Sequence, residues 1–473
     1  MNTLSKAYLQ RQAEHLVDFV NKSPSPFHAV DVCRNWLRGA QFTELKEKQS
    51  WNGVIKPNGR YFFTRNGSSI VAFAVGGKFR PGNGLSIVAA HTDSPCFKLK
   101  PVSKKTSSGF LQVGVQVYGG GLWHTWFDRD LSVAGRVMVR DHAGGYTNRL
   151  VTIKDPIMRI PSLAIHLDRT VGDAFKYNKE VHLTPILATV AKALNGDEKA
   201  ADPEASTLAH HPILLERIAT ELSVDVADIS DFELCLYDTQ EAVIGGICNE
   251  FIYSSRLDNL NSSYCAIEGL VNSLDDRKST ASADDTHIRM VALFDNEEVG
   301  STSAYGANSS LIESAIRRIQ SSCDGCSPTA FEEAVANSFM ISSDVTHAVH
   351  PNYSEKHESN HRPELQKGPS IKVNANQRYA TTSVTSTILK DIAKRNNIPL
   401  QEFVVRNDSP CGSTIGPMLS AQLGLRTIDI GNPLLSMHSI REVCGTDDVG
   451  MSVRLFERFF AEFASLDAKI TVD

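Results

Sequence analysis

Several short apolar runs along the chain end abruptly in polar or charged residues. They are LSIVAA (85–90), MVALF (290–294), SFMIS (338–342), FVV (403–405) and RTIDIG (426–431). Continuous apolar runs of this length are typical of strands buried on both faces of a sheet. Amphipathic stretches, among them 310–320 and 383–397, lie between the runs and predict covering helices. The pattern therefore predicts an α/β fold with a mixed, mostly parallel sheet sandwiched by helices.

The stretch from about 110 to 155 has a different pattern, with short alternating strands and glycines. Alternation is typical of antiparallel strands with one solvated face, and predicts a separate β-rich module. We therefore predict a discontinuous α/β domain of residues 1–97 and 248–473, with a β-rich domain of residues 98–247 inserted into it. Inside the insert, the polar segment 194–206 predicts a loop.

Composition and charge exclude several classes of protein. The 473 residues carry a formal charge of -6 and scattered basic side chains, so neither nucleic acid nor an anionic membrane is an expected partner. No apolar run approaches the ~18 residues of a membrane span. The N-terminus has the spacing of an amphipathic helix and not of a signal peptide, which predicts a cytoplasmic protein. The nine cysteines form no disulfide framework, and the pair Cys323 and Cys326 lacks a second pair, so free thiols are expected.

The segment LFDNEEVGS (293–301) places three carboxylates directly after an apolar run. Alone, it is compatible with a solvated turn or a helix N-terminus. However, ligands in open α/β sheets bind outside the carboxyl ends of strands, where other polar residues of this chain also fall. The set comprises two imidazoles and three carboxylates: His91, Asp258, Glu298, Asp344 and His438. Such a set could hold two zinc or similar divalent ions with room for water or substrate.

Two short spacings add detail to this hypothesis. His91 and Asp93 are two residues apart, so in an extended chain they share a face and Asp93 can orient the imidazole. Glu297 and Glu298 are adjacent and must diverge from the backbone. One can therefore bind a metal while its neighbour acts as general base on an activated water.

Eight motifs in this order make the chain similar to a known family. They are HTDSP (91–95), YGGGLWHTWFDRDL (118–131), SSRLDNL (254–260), LFDNEEVGS (293–301), SSDVTHAVHPNY (342–353), HRPELQKGPSIKVNANQRYA (361–380), RNDSPCGSTIGP (406–417) and MHSIRE (437–442). Together they resemble the aspartyl aminopeptidases of peptidase family M18, of the eukaryotic cytosolic kind. The resemblance covers nearly the whole chain.

The resemblance implies a zinc exopeptidase-like fold and a di-zinc aminopeptidase that removes aspartate or glutamate from peptide N-termini. It implies that Asp258 bridges the metals, that His91 and Asp344 complete one site, and that Glu298 and His438 complete the other. It further implies that Glu297 is the general base and that Asp93 orients His91. The inserted domain would support dimers, from which a tetrahedral homododecamer is built.

The resemblance also implies three substrate-binding residues. Lys372 in KGPSIKVN would pair its ammonium with the side-chain carboxylate of the substrate, whereas Lys367 is expected to be structural or exposed. Tyr379 in QRYA would line the catalytic centre, and His166 in the insert would reach the active site of an adjacent subunit.

Two alternatives remain open at this point. A neutral aminopeptidase or a deacylase of the same architecture would share the metal ligands but would not use Lys372 in this way. A non-catalytic assembly protein could keep zinc for structure only, although a closed structural site needs no base such as Glu297.

Overall fold

The computed structural model describes residues 4–194, 209–274, 284–323 and 325–472. From residue 195 onward, the loop predicted over 194–206 lies outside the described residues. The helices are Lys6–Asn21, Pro26–Gly39, Val190–Leu194, Pro212–Leu222, Leu257–Ser273, Leu311–Ser321, Ala330–Ala336, Ser383–Arg395, Ile415–Leu423 and Thr446–Asp467.

The strands, in chain order, are β1 (Thr43–Glu44), β2 (Arg60–Arg65), β3 (Ser69–Val75), β4 (Leu85–His91), β5 (Cys96–Ser107), β6 (Phe110–Tyr118), β7 (Leu131–Arg140), β8 (Tyr146–Thr152), β9 (Ile186–Thr189), β10 (Ile229–Asp238), β11 (Val243–Gly245), β12 (Phe251–Ser254), β13 (Ile288–Phe294), β14 (Phe339–Ser343), β15 (Thr346–His347), β16 (Ser370–Lys372), β17 (Gln401–Phe403), β18 (Arg426–Gly431), β19 (Pro433–Leu435) and β20 (Glu442–Gly445).

The chain forms two compact units. The first comprises Met1–Ser94, Ala242–Met437 and Glu442–Asp473, and the second comprises Pro95–Glu241 and the short segment His438–Arg441. These bounds differ by a few residues from the boundaries predicted at 97/98 and 247/248. The difference follows from strand pairing, because β5 already begins at Cys96 and β11 pairs with β12 inside the first unit.

The first unit contains a nine-stranded sheet in the order β1-β2-β3-β13-β4-β14-β18-β16-β17. Its centre is parallel, since β13, β4, β14 and β18 all run in one direction. Antiparallel pairs join β3 to β13 and β16 to β18. The sheet is therefore mixed and mainly parallel, as the apolar runs predicted. A smaller five-stranded sheet, in the order β11-β12-β20-β19-β15, belongs to the same unit.

Both faces of the central strands are buried in apolar cores. Along β13, Val291 and Leu293 pack into one cluster, whereas Met290 and Phe294 pack into the other. Helix Leu257–Ser273 contributes to the first cluster and helix Leu311–Ser321 to the second. Alternate side chains thus point to opposite helical layers, which explains why these strands are buried at every position and mostly apolar.

One predicted strand was misplaced. The run FVV (403–405) predicted a strand over those residues, but β17 covers Gln401–Phe403 and ends where the run begins. Its partner β16 ends at Lys372, which is opposite Phe403, so Val404 and Val405 have no strand to pair with.

The second unit is built on a six-stranded sheet in the order β8-β7-β10-β5-β6-β9. Every pairing in it is antiparallel. Its core includes the stacked rings of Phe97 and Trp123, whose centroids are 4.7 Å apart. The β-rich pattern of the sequence therefore corresponds to a separate antiparallel sheet.

Candidate metal centre

Three chain segments with polar ends meet at one edge of the nine-stranded sheet. His91 is the last residue of β4, and its partner across the parallel pairing is Phe294, the last residue of β13. Asp344 directly follows β14, which runs parallel to β4 on its other side. Because neighbouring parallel strands end at the same edge, His91, the Glu297–Glu298 turn and Asp344 are brought together.

The side-chain atoms around His91 have the spacing of metal ligands. His91 Nε2 lies 3.4 Å from Asp258 Oδ1 and 3.7 Å from Asp344 Oδ1. Ligand atoms of His91, Asp258 and Asp344 lie within 4.8 Å of one another, and so do those of His91, Glu297 and Glu298. Ligands held at about 2 Å from a tetrahedral zinc ion are separated by roughly 3 to 3.5 Å, so the first group fits such an ion.

Asp93 holds both the imidazole and the glutamate turn. Its backbone carbonyl lies 3.0 Å from His91 Nδ1, and its carboxylate lies 3.4 Å from the same nitrogen. The two carboxylate oxygens accept the backbone N–H groups of Glu297 and Glu298, each at 3.1 Å. The buried Asp93 carboxylate therefore holds the short 3₁₀ turn Glu297–Val299, while its backbone carbonyl lies at hydrogen-bond distance from the imidazole.

Charge in this cluster favours a cation. Burial lowers the pKa of His91, but the carboxylates of Glu297, Asp258, Asp344 and Asp93 outweigh burial and hold it well above its usual value. Burial also raises the pKa of Glu297 to about 7, opposed by His91 and assisted by the neighbouring carboxylates. Four acidic groups around one imidazole thus create a demand for positive charge that a divalent ion would satisfy.

Asp258 lies in the irregular first turn of helix Leu257–Ser273, where its own φ and ψ of -84° and 102° are not helical. Its backbone N–H donates to Glu442 Oε2 at 3.1 Å, and its carbonyl accepts the Ser94 hydroxyl. Glu442 and Ser94 were not singled out in the sequence, although each lies inside a quoted motif. They fix the backbone that presents the Asp258 carboxylate.

Lys372 lies next to the cluster and is almost completely buried, with 3% of its surface exposed. It is the last residue of β16, and its Nζ is 3.8 Å from Asp344 Oδ2. The ring centroid of Tyr379 is 5.4 Å from the same nitrogen. Lys367, in contrast, is exposed. The structure therefore brings Lys372 and Tyr379 to the edge that carries His91 and Asp344.

Two predicted site residues belong to the second unit. His438 is part of the segment His438–Arg441, and its Nδ1 lies 3.1 Å from the carbonyl oxygen of Gly120. The glycine triplet 119–121 thus supplies a backbone acceptor for this imidazole, a role that the sequence did not suggest. His166 is exposed, in a turn between Leu163 and Leu167, two aliphatic residues that are themselves exposed.

Comparison with known proteins agrees with this geometry. The profile of the family described as "Aminopeptidase I zinc metalloprotease (M18)" matches residues 19–460. The chain belongs to the M18 family. It is therefore a metallo-aminopeptidase, a class of hydrolase, as the motifs predicted.

Relatives within the M18 family are similar over nearly their whole length. "Aspartyl aminopeptidase" of Aspergillus oryzae is 52% identical, with 98% of each chain covered. A cryo-EM structure of an Ape4 and Nbr1 complex superposes with a TM-score of 0.95 at 46% identity, covering 100% of this chain and 90% of that one. The mApe1 dodecamer of S. cerevisiae gives a TM-score of 0.84 at 31% identity, covering 97% and 98%. Among the described residues of this M18 chain, no helix has the length and apolarity to cross a membrane.

Proposed function

We propose that this chain is a di-zinc aminopeptidase that hydrolyses the first peptide bond of peptides with N-terminal aspartate or glutamate. Family membership supports the reaction, and the name of the Aspergillus oryzae relative supports the acidic preference. The observation that carries the acidic preference is the buried ammonium of Lys372 beside the cluster of His91 and carboxylates.

Lysine is almost never fully buried without a charged partner. Lys372 forms an ion pair with Asp344, at 3.8 Å, and Asp344 is also one of the candidate ligands. A metal ion on Asp344 would draw its charge away from Lys372, which leaves the ammonium able to pair with another carboxylate. The side-chain carboxylate of an aspartyl or glutamyl substrate has the required charge, whereas a leucyl side chain has none.

We assign the metal ligands as the motifs imply. Asp258 would contribute to both sites, His91 and Asp344 would complete one of them, and Glu298 and His438 would complete the other. Imidazole nitrogens and carboxylate oxygens are the donors that zinc accepts in catalytic sites, and three protein ligands leave a position open. When bound, the ions would supply Lewis acidity, which polarises the substrate carbonyl and makes water more acidic.

Glu297 performs the proton transfers. Its carboxylate, whose pKa is raised to about 7, takes a proton from the attacking water as the new C–O bond forms at the carbonyl carbon. The same carboxyl group then gives that proton to the leaving nitrogen as the C–N bond breaks. Asp93 holds the Glu297 backbone in place during both steps through its hydrogen bond of 3.1 Å.

Exchange of Lys372 tests the acidic preference. In Lys372→Met the aliphatic volume is kept and the ammonium is lost, so kcat/KM for an aspartyl substrate should fall on the order of a hundredfold, while that for a leucyl substrate changes little. Lys367→Met is the matched control, because Lys367 is five positions away in the same segment and is exposed. Equal losses on both substrates, or an unchanged aspartyl preference, would refute the role of Lys372.

We also propose that subunits assemble through the second unit into dimers and then into a homododecamer. The dodecameric structure of the S. cerevisiae relative mApe1 supports this. So do the exposed aliphatic residues around His166, namely Leu163, Ile165 and Leu167. In such an assembly His166 would reach the active site of a neighbouring subunit. None of the nine cysteines, all of which lie among the described residues, forms a disulfide bond in the structure.

A further inference from the structure

Asp429 lies behind Lys372 and Tyr379 and has no role in the chemistry described above. It is the fourth residue of β18, and its side chain is completely buried. A carboxylate in such a place is costly unless its oxygens accept hydrogen bonds. Asp429 accepts two hydrogen bonds from chain segments that are distant from it in sequence.

The first of these segments carries Tyr379. Asp429 Oδ2 accepts the backbone N–H of Ala380 at 2.6 Å, and the backbone N–H of Asp429 donates to Thr381 Oγ1 at 3.0 Å. The residue that follows Tyr379 is therefore bonded directly to the Asp429 carboxylate. The Tyr379 ring in turn lies 5.4 Å from the ammonium of Lys372.

The second segment carries Cys411. Asp429 Oδ1 accepts the Thr414 hydroxyl at 2.5 Å. The two segments also touch each other, since the Cys411 thiol lies 3.5 Å from the Tyr379 hydroxyl and the Ser413 hydroxyl donates to the carbonyl of Arg378 at 3.1 Å. The Tyr379 segment and the Cys411 segment are thus bonded to each other and to the carboxylate of Asp429.

The chain segment that carries Cys411 and Thr414 packs so closely against Asp429 that no additional atom fits between them. A Cβ added at Gly416, in the first turn of helix Ile415–Leu423, would lie 2.4 Å from Asp429 Oδ2. Electrostatics also connects the carboxylate to Lys372. Burial raises the pKa of Asp429, while the hydroxyls of Ser342 and Thr414, the backbone N–H of Ala380 and the charge of Lys372 act in the opposite direction.

We propose that Asp429 is a positioning residue for substrate selection: it anchors the Tyr379 and Cys411 segments at the distance from Lys372 that an acidic side chain requires. This role rests on the proposed function of Lys372. Asp429 does not touch the substrate. It acts through Ala380 and Thr414, and an amide in its place can accept at one oxygen only.

The test measures kcat and KM of Asp429→Asn on aspartyl and leucyl substrates. With one segment released, the aspartyl KM should rise and the ratio of aspartyl to leucyl kcat/KM should fall on the order of tenfold or more, since small misplacements of binding groups have such effects. Thr414→Val, which removes the hydroxyl donor, should lower the ratio in the same direction, and Thr414→Ser, which keeps it, should restore most of it.

A matched control separates positioning from general loss of stability. Asp285→Asn alters another largely buried carboxylate, which accepts hydrogen bonds from His287 N at 2.9 Å and Arg289 Nε at 3.0 Å. Asp285 precedes β13, so it lies at the end of that strand opposite to the Glu297–Glu298 turn. This substitution should lower thermal stability but leave the ratio unchanged. An unchanged ratio in Asp429→Asn, or an equal fall in Asp285→Asn, would overturn the positioning role.

A crystal structure of the Asp429→Asn variant tests the role of Asp429 independently of the proposed function. If the unaltered enzyme has no aspartyl preference, the proposed function fails, and a crystal structure of Asp429→Asn then decides the role of Asp429. Displacement of Tyr379 and Cys411 from their mutual contact supports the anchor, and unchanged positions of both refute it.

Discussion

Glu297 and Glu298 are adjacent in the chain, and the proposed function gives them different roles. The Asp93 carboxylate accepts a hydrogen bond from the backbone N–H of each, so both glutamates extend from a fixed turn. Glu298 is assigned to a metal ion, whereas Glu297 is assigned the proton transfers. In this proposal, a small difference in the surroundings of two adjacent glutamates makes Glu298 a metal ligand and Glu297 a base.

Substitution of Glu297 by Gln tests this division. Glu297→Gln keeps the shape of the side chain but cannot take a proton, so kcat should fall roughly 10²- to 10⁴-fold, the range that general base catalysis supplies. Zinc content and thermal stability should stay close to those of the unaltered protein. Glu332→Gln, at an exposed helical position, is the control. Turnover within a few-fold of normal would remove Glu297 from its role.

The sequence drew attention to several side chains that the structure brings to one sheet edge, but it did not single out some of the residues that hold them. His91 and Asp344 were identifiable because each follows an apolar run, and the carboxyl ends of strands meet at one edge. Glu442, Gly120 and Asp429 hold backbone or ring atoms of other residues. Their contacts join positions far apart in the chain, so no local pattern reveals them.

At the scale of elements, the site depends on how closely β14 and β18 approach each other. Gly431 ends β18, and a Cβ added there would lie 1.7 Å from the carbonyl oxygen of Asp344. A Cβ that close to a backbone oxygen could be accommodated only if the strand end that presents the Asp344 carboxylate shifted. The glycine is therefore required by the approach of two strands and not by a turn.

Gly431→Ala should consequently disturb both folding and metal binding. Overpacking of this kind destabilises by roughly 1–3 kcal/mol or more, and zinc retained after dialysis should fall because Asp344 moves. Gly39→Ala is the control, since a Cβ at Gly39, the last residue of a helix, meets nothing within 4 Å. Thermal unfolding and metal analysis of both variants check this, and full zinc retention in Gly431→Ala would contradict it.

Element type was predictable where the pattern was long and uniform. The central strands are mostly apolar because both of their faces are covered, and this is the feature that the sequence displays. The end of β17 was misjudged because its length is set by Lys372 of the neighbouring strand. Pairing across the sheet, and not local propensity, decides such ends.

At the scale of the whole molecule, the exposed aliphatic side chains around His166 are the feature that contacts within a single subunit explain least. Leu163, Ile165 and Leu167 expose 62%, 52% and 74% of their surface. Burying one large aliphatic side chain contributes about 1.5–3 kcal/mol, so three in one segment favour association. This supports the proposed dimer contact.

Leu167→Asp should therefore lower the mass measured by light scattering at micromolar protein concentration, from that of the proposed dodecamer toward smaller species. Ile247→Asp, at a fully exposed aliphatic position of the first unit, serves as control for an added surface charge. If Leu167→Asp has the mass of the unaltered protein, or if the unaltered protein is monomeric, the proposed contact is wrong.

The most direct test of the central claim compares four matched substrates: aspartyl, glutamyl, leucyl and N-acetyl-aspartyl. Each is assayed with the untreated enzyme, after chelation, and after zinc is added back. We predict strong preference for the free aspartyl and glutamyl substrates, loss of activity with chelator and recovery with zinc. Preference for the leucyl substrate would contradict the role of Lys372, activity confined to the acetylated compound would indicate a deacylase, and activity unaffected by chelation would contradict the metal centre itself.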